Sequence, residues 1–212
     1  MPTPPISRSI KIDQDERGGW SSDRPRRDGA PPRPADLSVR CRVLRPSELL
    51  RYSPGSLLMV VCPDAAEGDR FAQRLIEGKS SLLSLGKVRK LLAGRVAEED
   101  MEARAAELLD AALLKRIEAG ESVVVVTEDL APETRERYVR VAAGQKRPNH
   151  IVLIEPAREQ VQEDDRPALN KLRKALDAGE LGAEGFNTAL RLGGGSTAEV
   201  KRIVFRPPPR DD

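Results

Sequence analysis

The segment from Cys62 to Arg70, CPDAAEGDR, follows an apolar run and precedes an amphipathic stretch. A loop between a buried strand and a helix binds phosphate when it reads GxxxxGK[ST], because its glycines let backbone N–H groups surround the anion and its lysine neutralises charge. Here Cys62 replaces the first glycine. Glu67 and Gly68 stand where the second glycine and the lysine belong, and Asp69 stands at the hydroxyl position. The position of this segment in the sequence suits a phosphate-binding loop, but its residue types do not. The candidate loop comprises Cys62, Pro63, Asp64, Ala65, Ala66, Glu67, Gly68, Asp69 and Arg70.

The charge of this loop also opposes phosphate binding. It carries three acids, Asp64, Glu67 and Asp69, and has no lysine. A pair of unit charges about 4 Å apart is worth roughly 4 kcal/mol at an effective dielectric near 20. A helix N-terminus offers an anion only about 0.3–1 kcal/mol. The segment is therefore interpreted as a strand-to-helix connection capped by acids, although Arg70 or a bridging metal would offset part of the repulsion.

The elements that would position this loop alternate between strand and helix. Apolar runs predict buried strands at 56–61, 122–126 and 150–156, an alternating pattern predicts one at 37–44, and a last strand is expected at 200–206. Helical periodicity predicts helices over 67–78, 87–94, 98–120, 131–145 and 166–181, and a helical turn over 46–52 capped by Ser47. Such alternation predicts an α/β fold in which 57–61, 122–126 and 150–155 are parallel central strands with helices on both faces.

Composition narrows the classes of function. Acidic and basic residues nearly balance, at 34 and 36, so charge gives no argument for nucleic acid or a membrane surface. Aromatic residues make up only 3% of the chain, which disfavours a platform that stacks single-stranded bases. Cys41 and Cys62 form neither a disulfide framework nor zinc-ligand spacing. Without an apolar leader or a long apolar run, a cytoplasmic protein with no resident metal is expected.

The first part of the chain differs in composition from the rest. Residues 1–36 are rich in Pro, Gly, Arg and Asp and have no apolar period, which predicts a disordered or extended tail. The folded domain is expected over 37–206, and 207–212 form a Pro-rich end. Trp20 is the one aromatic side chain of the tail, so it is either solvated with the tail or an anchor for a protein partner.

Motifs downstream of the loop resemble those of the P-loop kinases related to polynucleotide 5′-hydroxyl kinase. The segment 84–94, SLGKVRKLLAG, is similar to the family's S-x-D-x-x-R-x-x-L-x-G, with Arg89 matched and Gly86 in place of the aspartate base. The segment 126–135, VTEDLAPETR, is similar to D-A-T-N-L-x-P-E-x-R, with Arg135 matched. In it Val126 replaces the aspartate and Asp129 replaces the asparagine.

The resemblance covers roughly 55–192 and extends to the lid. There Glu163 falls at one arginine position and Arg166 remains. It implies a parallel-sheet, P-loop NTPase-like three-layer sandwich that would use ATP and Mg²⁺. The matched positions are those of the scaffold, whereas the lysine, the Mg²⁺ ligand, the base and a lid arginine are lost. The resemblance therefore implies a vestigial phosphate loop and a vestigial substrate cleft and lid comprising Arg89, Asp129, Arg135 and Arg166.

Three functions remain open from the sequence. The favoured one is a catalytically inactive kinase-like protein that serves as a binding or structural subunit and engages a protein partner through its N-terminal tail. The second is a divergent ATP-dependent polynucleotide or small-molecule kinase. The third is a nucleic-acid-binding protein that uses the vestigial cleft, which the balanced charge disfavours.

Overall fold

The computed structural model describes residues 40–207, and in that range it contains eight strands and six α-helices. The strands are β1 (Arg42–Val43), β2 (Leu49–Tyr52), β3 (Leu57–Val61), β4 (Leu82–Ser84), β5 (Val123–Thr127), β6 (Asn149–Glu155), β7 (Thr188–Gly193) and β8 (Arg202–Phe205). The helices are α1 (Ala65–Leu75), α2 (Leu85–Leu92), α3 (Met101–Glu118), α4 (Pro132–Gly144), α5 (Arg166–Asp177) and α6 (Ser196–Glu199). Short 3₁₀ turns connect several of these elements.

Six strands form one parallel sheet in the order β1-β7-β6-β3-β5-β4. β3 lies in its middle, in register with β5 (Leu57 opposite Val123) and with β6 (Leu57 opposite Asn149). Every residue of β3 and β5 is buried, as the apolar runs predict for strands covered on both faces. The prediction of three parallel central strands is confirmed.

Two apolar cores lie on opposite faces of this sheet, because successive strand side chains point in opposite directions. On one face Met59 and Val125 pack with α3, α4 and α5. On the other face Leu58 and Val124 pack with α1 and with the two-stranded β2–β8 sheet. The result is the predicted three-layer α/β architecture, in which one outer layer combines a helix with a strand pair.

The prediction of a helical turn over 46–52 is wrong. Leu49–Tyr52 forms β2, which pairs in parallel with β8, with Leu50 opposite Ile203 and Tyr52 opposite Phe205. Leu50 and Tyr52 are buried and Arg51 between them is exposed, so the segment alternates like a strand. Ser47 caps no helix, and its hydroxyl donates to the Leu49 carbonyl. The partner strand is far away in the sequence, so this pairing overrides the local helical pattern.

Smaller differences concern the sheet edges and α3. The strand predicted over 37–44 is reduced to β1 in the described residues, and β4 and β7 were not predicted. α3 buries a line at four-residue spacing, Ala105, Leu109, Leu113 and Ile117, whereas the neighbouring Leu108 is 49% exposed. Gly94 and Gly120 adopt positive φ just after α2 and α3, as expected for glycines that end helices. Among residues 40–207, no helix combines the length and apolar character that a membrane crossing requires.

Candidate functional site

The connection from β3 to α1 consists of Cys62, Pro63 and Asp64. Asp64 is the N-cap residue of α1, and its Oδ1 accepts the Glu67 N–H at 3.0 Å. The Asp64 carbonyl accepts the Gly68 N–H, also at 3.0 Å. The Asp64 carboxylate thus caps one N–H of the first turn of α1, and a carboxylate is the kind of anion that a helix N-terminus favours.

This geometry does not fit the phosphates of a nucleotide. A GxxxxGK loop keeps its residues outside the helix as far as the second glycine, so that their N–H groups face the phosphates. Here α1 has already begun at Ala65, and Glu67 and Gly68 lie within it. An incoming phosphate would have to displace the Asp64 carboxylate from the helix terminus. No step of phosphoryl transfer is therefore derived from these residues.

Gly68 has a packing role. A Cβ atom at this position would lie 3.0 Å from Val126 Cγ1 and 3.1 Å from the Cβ of Cys62. Glycine lets α1 approach the sheet closely at this point. A lysine here would project into the packed interface between α1 and β5, so the position that the motif assigns to the phosphate-binding lysine faces the core.

Cys62 is buried directly after β3. Burial raises the pKa of its thiol to about 12, and the nearby carboxylates of Glu67 and Asp64 act in the same direction. The thiol is therefore protonated at neutral pH. A protonated, buried cysteine behaves as a small apolar side chain and is a poor nucleophile.

A cleft of about 380 Å³ opens beside this connection, where β4 and β5 end. One wall is the outer side of α1, and the other is the start of α2. The backbone of Val126, Thr127 and Glu128 continues β5 along its floor. Ligands of parallel α/β sheets bind at this carboxyl edge. The longer polar side chains of the lining are Asp69, Arg70, Gln73, Arg89, Lys90 and Glu128.

Asp69 and Gly86 face each other across this cleft. A Cβ atom at position 86 would lie 2.7 Å from Asp69 Oδ2, so the Asp69 carboxylate fills the space that a side chain at 86 would occupy. The other oxygen, Asp69 Oδ1, is buried and has no hydrogen-bond partner within the described part of the chain. The residue placed at the hydroxyl position of a phosphate loop thus reaches the position of the missing base.

Arg89 lines the cleft and is bound to α3. Its Nε donates to Glu102 Oε1 at 2.8 Å and its terminal nitrogen to Oε2 at 2.6 Å. Glu128 lies 4.0 Å away on the cleft side. The hydrogen bonds that Arg89 donates to Glu102, followed by the charges of Glu102 and Glu128, raise the pKa of Arg89. Its charge is largely committed to these carboxylates.

Asp129 and Arg135 have structural roles at the start of α4. Asp129 Oδ1 accepts the Ala131 N–H at 2.7 Å, and Oδ2 accepts the Thr134 hydroxyl. Arg135 is buried and forms a two-pronged ion pair with Glu184, at 2.8 and 2.9 Å. Its third contact is with the Leu130 carbonyl at 2.7 Å. Neither residue lines the cleft of Asp69.

Arg166 begins α5 and lines a separate cavity, with Val161 and Arg173. Of the four residues predicted for the vestigial cleft and lid, only Arg89 lines the cleft beside α1. Of the predicted phosphate loop, Ala65, Ala66, Asp69 and Arg70 contribute to it. Trp20 lies outside the described residues. Among residues 40–207, no three His, Cys, Asp or Glu side chains form a group that could hold a metal ion.

Three residues that line the cleft were not predicted as site residues: Gln73, Lys90 and Glu128. A usable signal existed for Glu128, because it follows a predicted buried strand and the carboxyl ends of parallel strands meet at one edge. Lys90 lies one helical turn beyond Gly86, so it shares a face with a position that the motif had marked. Gln73 carries a similar signal, one turn beyond Asp69 on α1.

Comparison with known proteins identifies no family. No protein-family model matches the chain. No curated protein is similar to it in sequence. Among solved structures, a crystal structure described as "a putative kinase from Chloroflexus aurantiacus" is similar at 12% identity and a TM-score of 0.44, covering 69% of this chain and 88% of that protein. A similarity at this level carries no conclusion about activity.

Proposed function

We propose that this chain is a binding or structural subunit of a protein assembly, built on a kinase-like α/β fold that does not transfer phosphate. The observation that supports this most strongly is the Asp64 cap. Its carboxylate accepts an N–H of the first turn of α1, where a phosphate would have to bind.

The loss of catalysis follows from the physics of phosphoryl transfer. That reaction depends almost entirely on positioning and on the stabilisation of negative charge. In this chain the helix terminus is capped by a carboxylate, and Gly68 packs against Val126 where the motif would place its lysine. Glu67 adds a further acid in the first turn of α1. Each of these features weakens the binding of a triphosphate.

The first experiment tests the loss of catalysis. Isothermal titration of the full chain with Mg·ATP is expected to give no saturable binding in the micromolar range, and radiolabel transfer from ATP to a 5′-hydroxyl oligonucleotide is expected to stay at background. An Asp64→Ser variant keeps a capping oxygen and removes the charge, so it tests whether the carboxylate alone excludes ATP. Micromolar binding together with turnover by the wild-type chain would establish a divergent kinase instead.

The partner is proposed to bind through residues 1–36. That tail is too polar to bury a core of its own, its prolines limit the entropy lost on docking, and Trp20 offers a ring of the kind that anchors interfaces. The domain would then act as a scaffold that presents the tail.

The second experiment tests the partner. Proteins recovered with the full chain are compared with those recovered by a variant lacking residues 1–36, and a partner lost on deletion is purified for titration. If the ring is a buried anchor, Trp20→Ala should weaken binding by about 2 kcal/mol, roughly thirtyfold in Kd. Unchanged recovery after deletion of the tail would move the partner site to the folded domain.

A further inference from the structure

The cleft between α1 and α2 has the size of a small-molecule site. Its volume of about 380 Å³ lies within the usual range of roughly 300–1,000 Å³ for ligand pockets. It opens at the carboxyl ends of β4 and β5, next to the Asp64 cap, because Ala65 and Ala66 also line it. The side chains that line the cleft, and not the capped helix end, decide what it binds.

Asp69 carries a carboxylate that forms no hydrogen bond with the described residues, although Lys87 and Arg89 lie close enough to act on its charge. Its Oδ1 is buried without a hydrogen bond from the described residues, whereas nearly all buried polar atoms in native proteins have at least one. Oδ2 is held where Gly86 leaves no side chain. A carboxylate accepts hydrogen bonds only, so what binds it is a donor, and from the open cleft a donor reaches Oδ2, since Oδ1 is closed to solvent. A charged donor gives the strongest and shortest such bond.

The cleft also presents positive charge that no carboxylate of the described residues neutralises. Arg89 is committed to Glu102, but Arg70 on α1 and Lys90 on α2 line the same cleft and are exposed without an ion pair in the range 40–207. Lysine and arginine side chains at the rim of a cleft attract and hold anionic groups. One site therefore combines a carboxylate without a donor and two available cations.

We infer that this cleft binds a small zwitterionic molecule, with an ammonium group on Asp69 and an anionic group between Arg70 and Lys90. A nucleotide or a nucleic acid lacks the ammonium group and would place phosphate close to Asp69 and Glu128. A purely cationic ligand would meet Arg70 and Lys90. The mixed charge of the lining thus selects a molecule that carries both signs.

The test uses two probes that differ in one group. O-phosphoethanolamine carries an ammonium and a phosphate, whereas ethyl phosphate carries the phosphate alone. Both are titrated into the full isotope-labelled chain, and amide shifts are followed by NMR. O-phosphoethanolamine is expected to bind roughly tenfold more tightly, the effect of one charge-assisted hydrogen bond. The amides that shift should lie in α1, in the start of α2 and after β5.

Variants assign the preference to Asp69. Asp69→Asn keeps the shape of the side chain and is expected to remove the tenfold difference between the probes. Asp100→Asn makes the same change at an exposed aspartate outside the cleft and should preserve it. If Asp69→Asn does not fold, an Arg70→Ala, Lys90→Ala double variant serves, and it should weaken both probes about equally.

Several results would overturn the inference. These are equal affinities of the two probes for the wild-type chain, no saturable shift for either probe, shifts centred on the separate cavity of Arg166, or a preference that survives Asp69→Asn. If Asp69→Asn does not fold, unchanged affinities of both probes for the Arg70→Ala, Lys90→Ala double variant would also overturn the inference. Binding of Mg·ATP outside this cleft would contradict the proposed function alone, whereas Mg·ATP bound in the cleft would overturn this inference as well.

Discussion

Replacing Arg135 by methionine should destabilise the protein strongly, because the guanidinium is part of the core. Only 3% of Arg135 is exposed, and its three hydrogen bonds join α4 to Glu184 and to the Leu130 carbonyl. Methionine keeps most of the apolar stem, so the change removes mainly the charge and the hydrogen bonds. The variant isolates the electrostatic role that the structure gives to this side chain.

The expected loss of stability follows from the unequal burial of Arg135 and Glu184. Removing one member of a buried ion pair costs about 3–5 kcal/mol, because the other charge stays buried and uncompensated. The Glu184 side chain is 27% exposed and can regain water, so Arg135→Met should cost less, about 2–4 kcal/mol. Glu184→Gln leaves the guanidinium buried, with a side chain only 4% exposed, and should cost at least as much.

Urea unfolding followed by circular dichroism at neutral pH measures these changes. The double variant Arg135→Met, Glu184→Gln should cost less than the sum of the two single variants, with a coupling energy of about 2 kcal/mol. Arg140→Ala is the control, since Arg140 pairs with Glu136 on the exposed face of α4 and should change stability by no more than about 0.5 kcal/mol. A loss below about 1 kcal/mol for Arg135→Met would refute the structural role given to its ion pair with Glu184.

Three further predictions concern the elements around the sheet. Gly68→Ala should destabilise by about 1–2 kcal/mol in urea unfolding, because its Cβ would crowd Val126, whereas Gly144→Ala, with open space around it, should be neutral or stabilising. Burial lowers the pKa of His150 to about 4. The fold favours the neutral ring, so His150 should lower the free energy of unfolding by about 1–3 kcal/mol as the pH falls from about 6.5 towards 4. A pH series of unfolding midpoints measures this loss, and the His150→Gln variant should lack it. Asp64→Ala should cost about 1 kcal/mol by the loss of the cap, and Asp64→Ser should recover most of it in the same assay.

The central sheet could be predicted because the local sequence of each of its central strands already indicates a strand. β3, β5 and β6 are continuous apolar runs, and each run has the length of a strand buried on both faces. The ends of α2 and α3 could also be predicted, since a glycine that ends a helix acts through the last turn of that helix alone. By contrast, β2 depends on β8, a partner near the other end of the domain, and no local pattern carries that information.

The candidate site was only partly predictable for a related reason. The motifs marked Gly68, Gly86 and Arg135 as positions of interest, but the role of each position depends on what it contacts in space. Gly86 and Asp69 are brought together by the packing of α1 beside α2, and the partner of Arg135 is Glu184 in a later turn. The inactivity of the loop, the protein partner and the role of Trp20 stay predictions.

The pairing of β2 with β8 sets the order in which this domain can be completed during synthesis. β2 emerges from the ribosome before the central strands β3, β5 and β6, but its partner β8 is the last strand of residues 40–207. Until residues 202–205 have emerged, Leu58, Val60 and Val124 lack part of the layer that covers them, because Ile203 and Val200 belong to the same apolar core. A nascent chain therefore carries an incompletely covered sheet face until β8 has been synthesised. The face is covered only after β8 has paired with β2. Products that stall or are truncated before β8 would expose that face to chaperones and to one another.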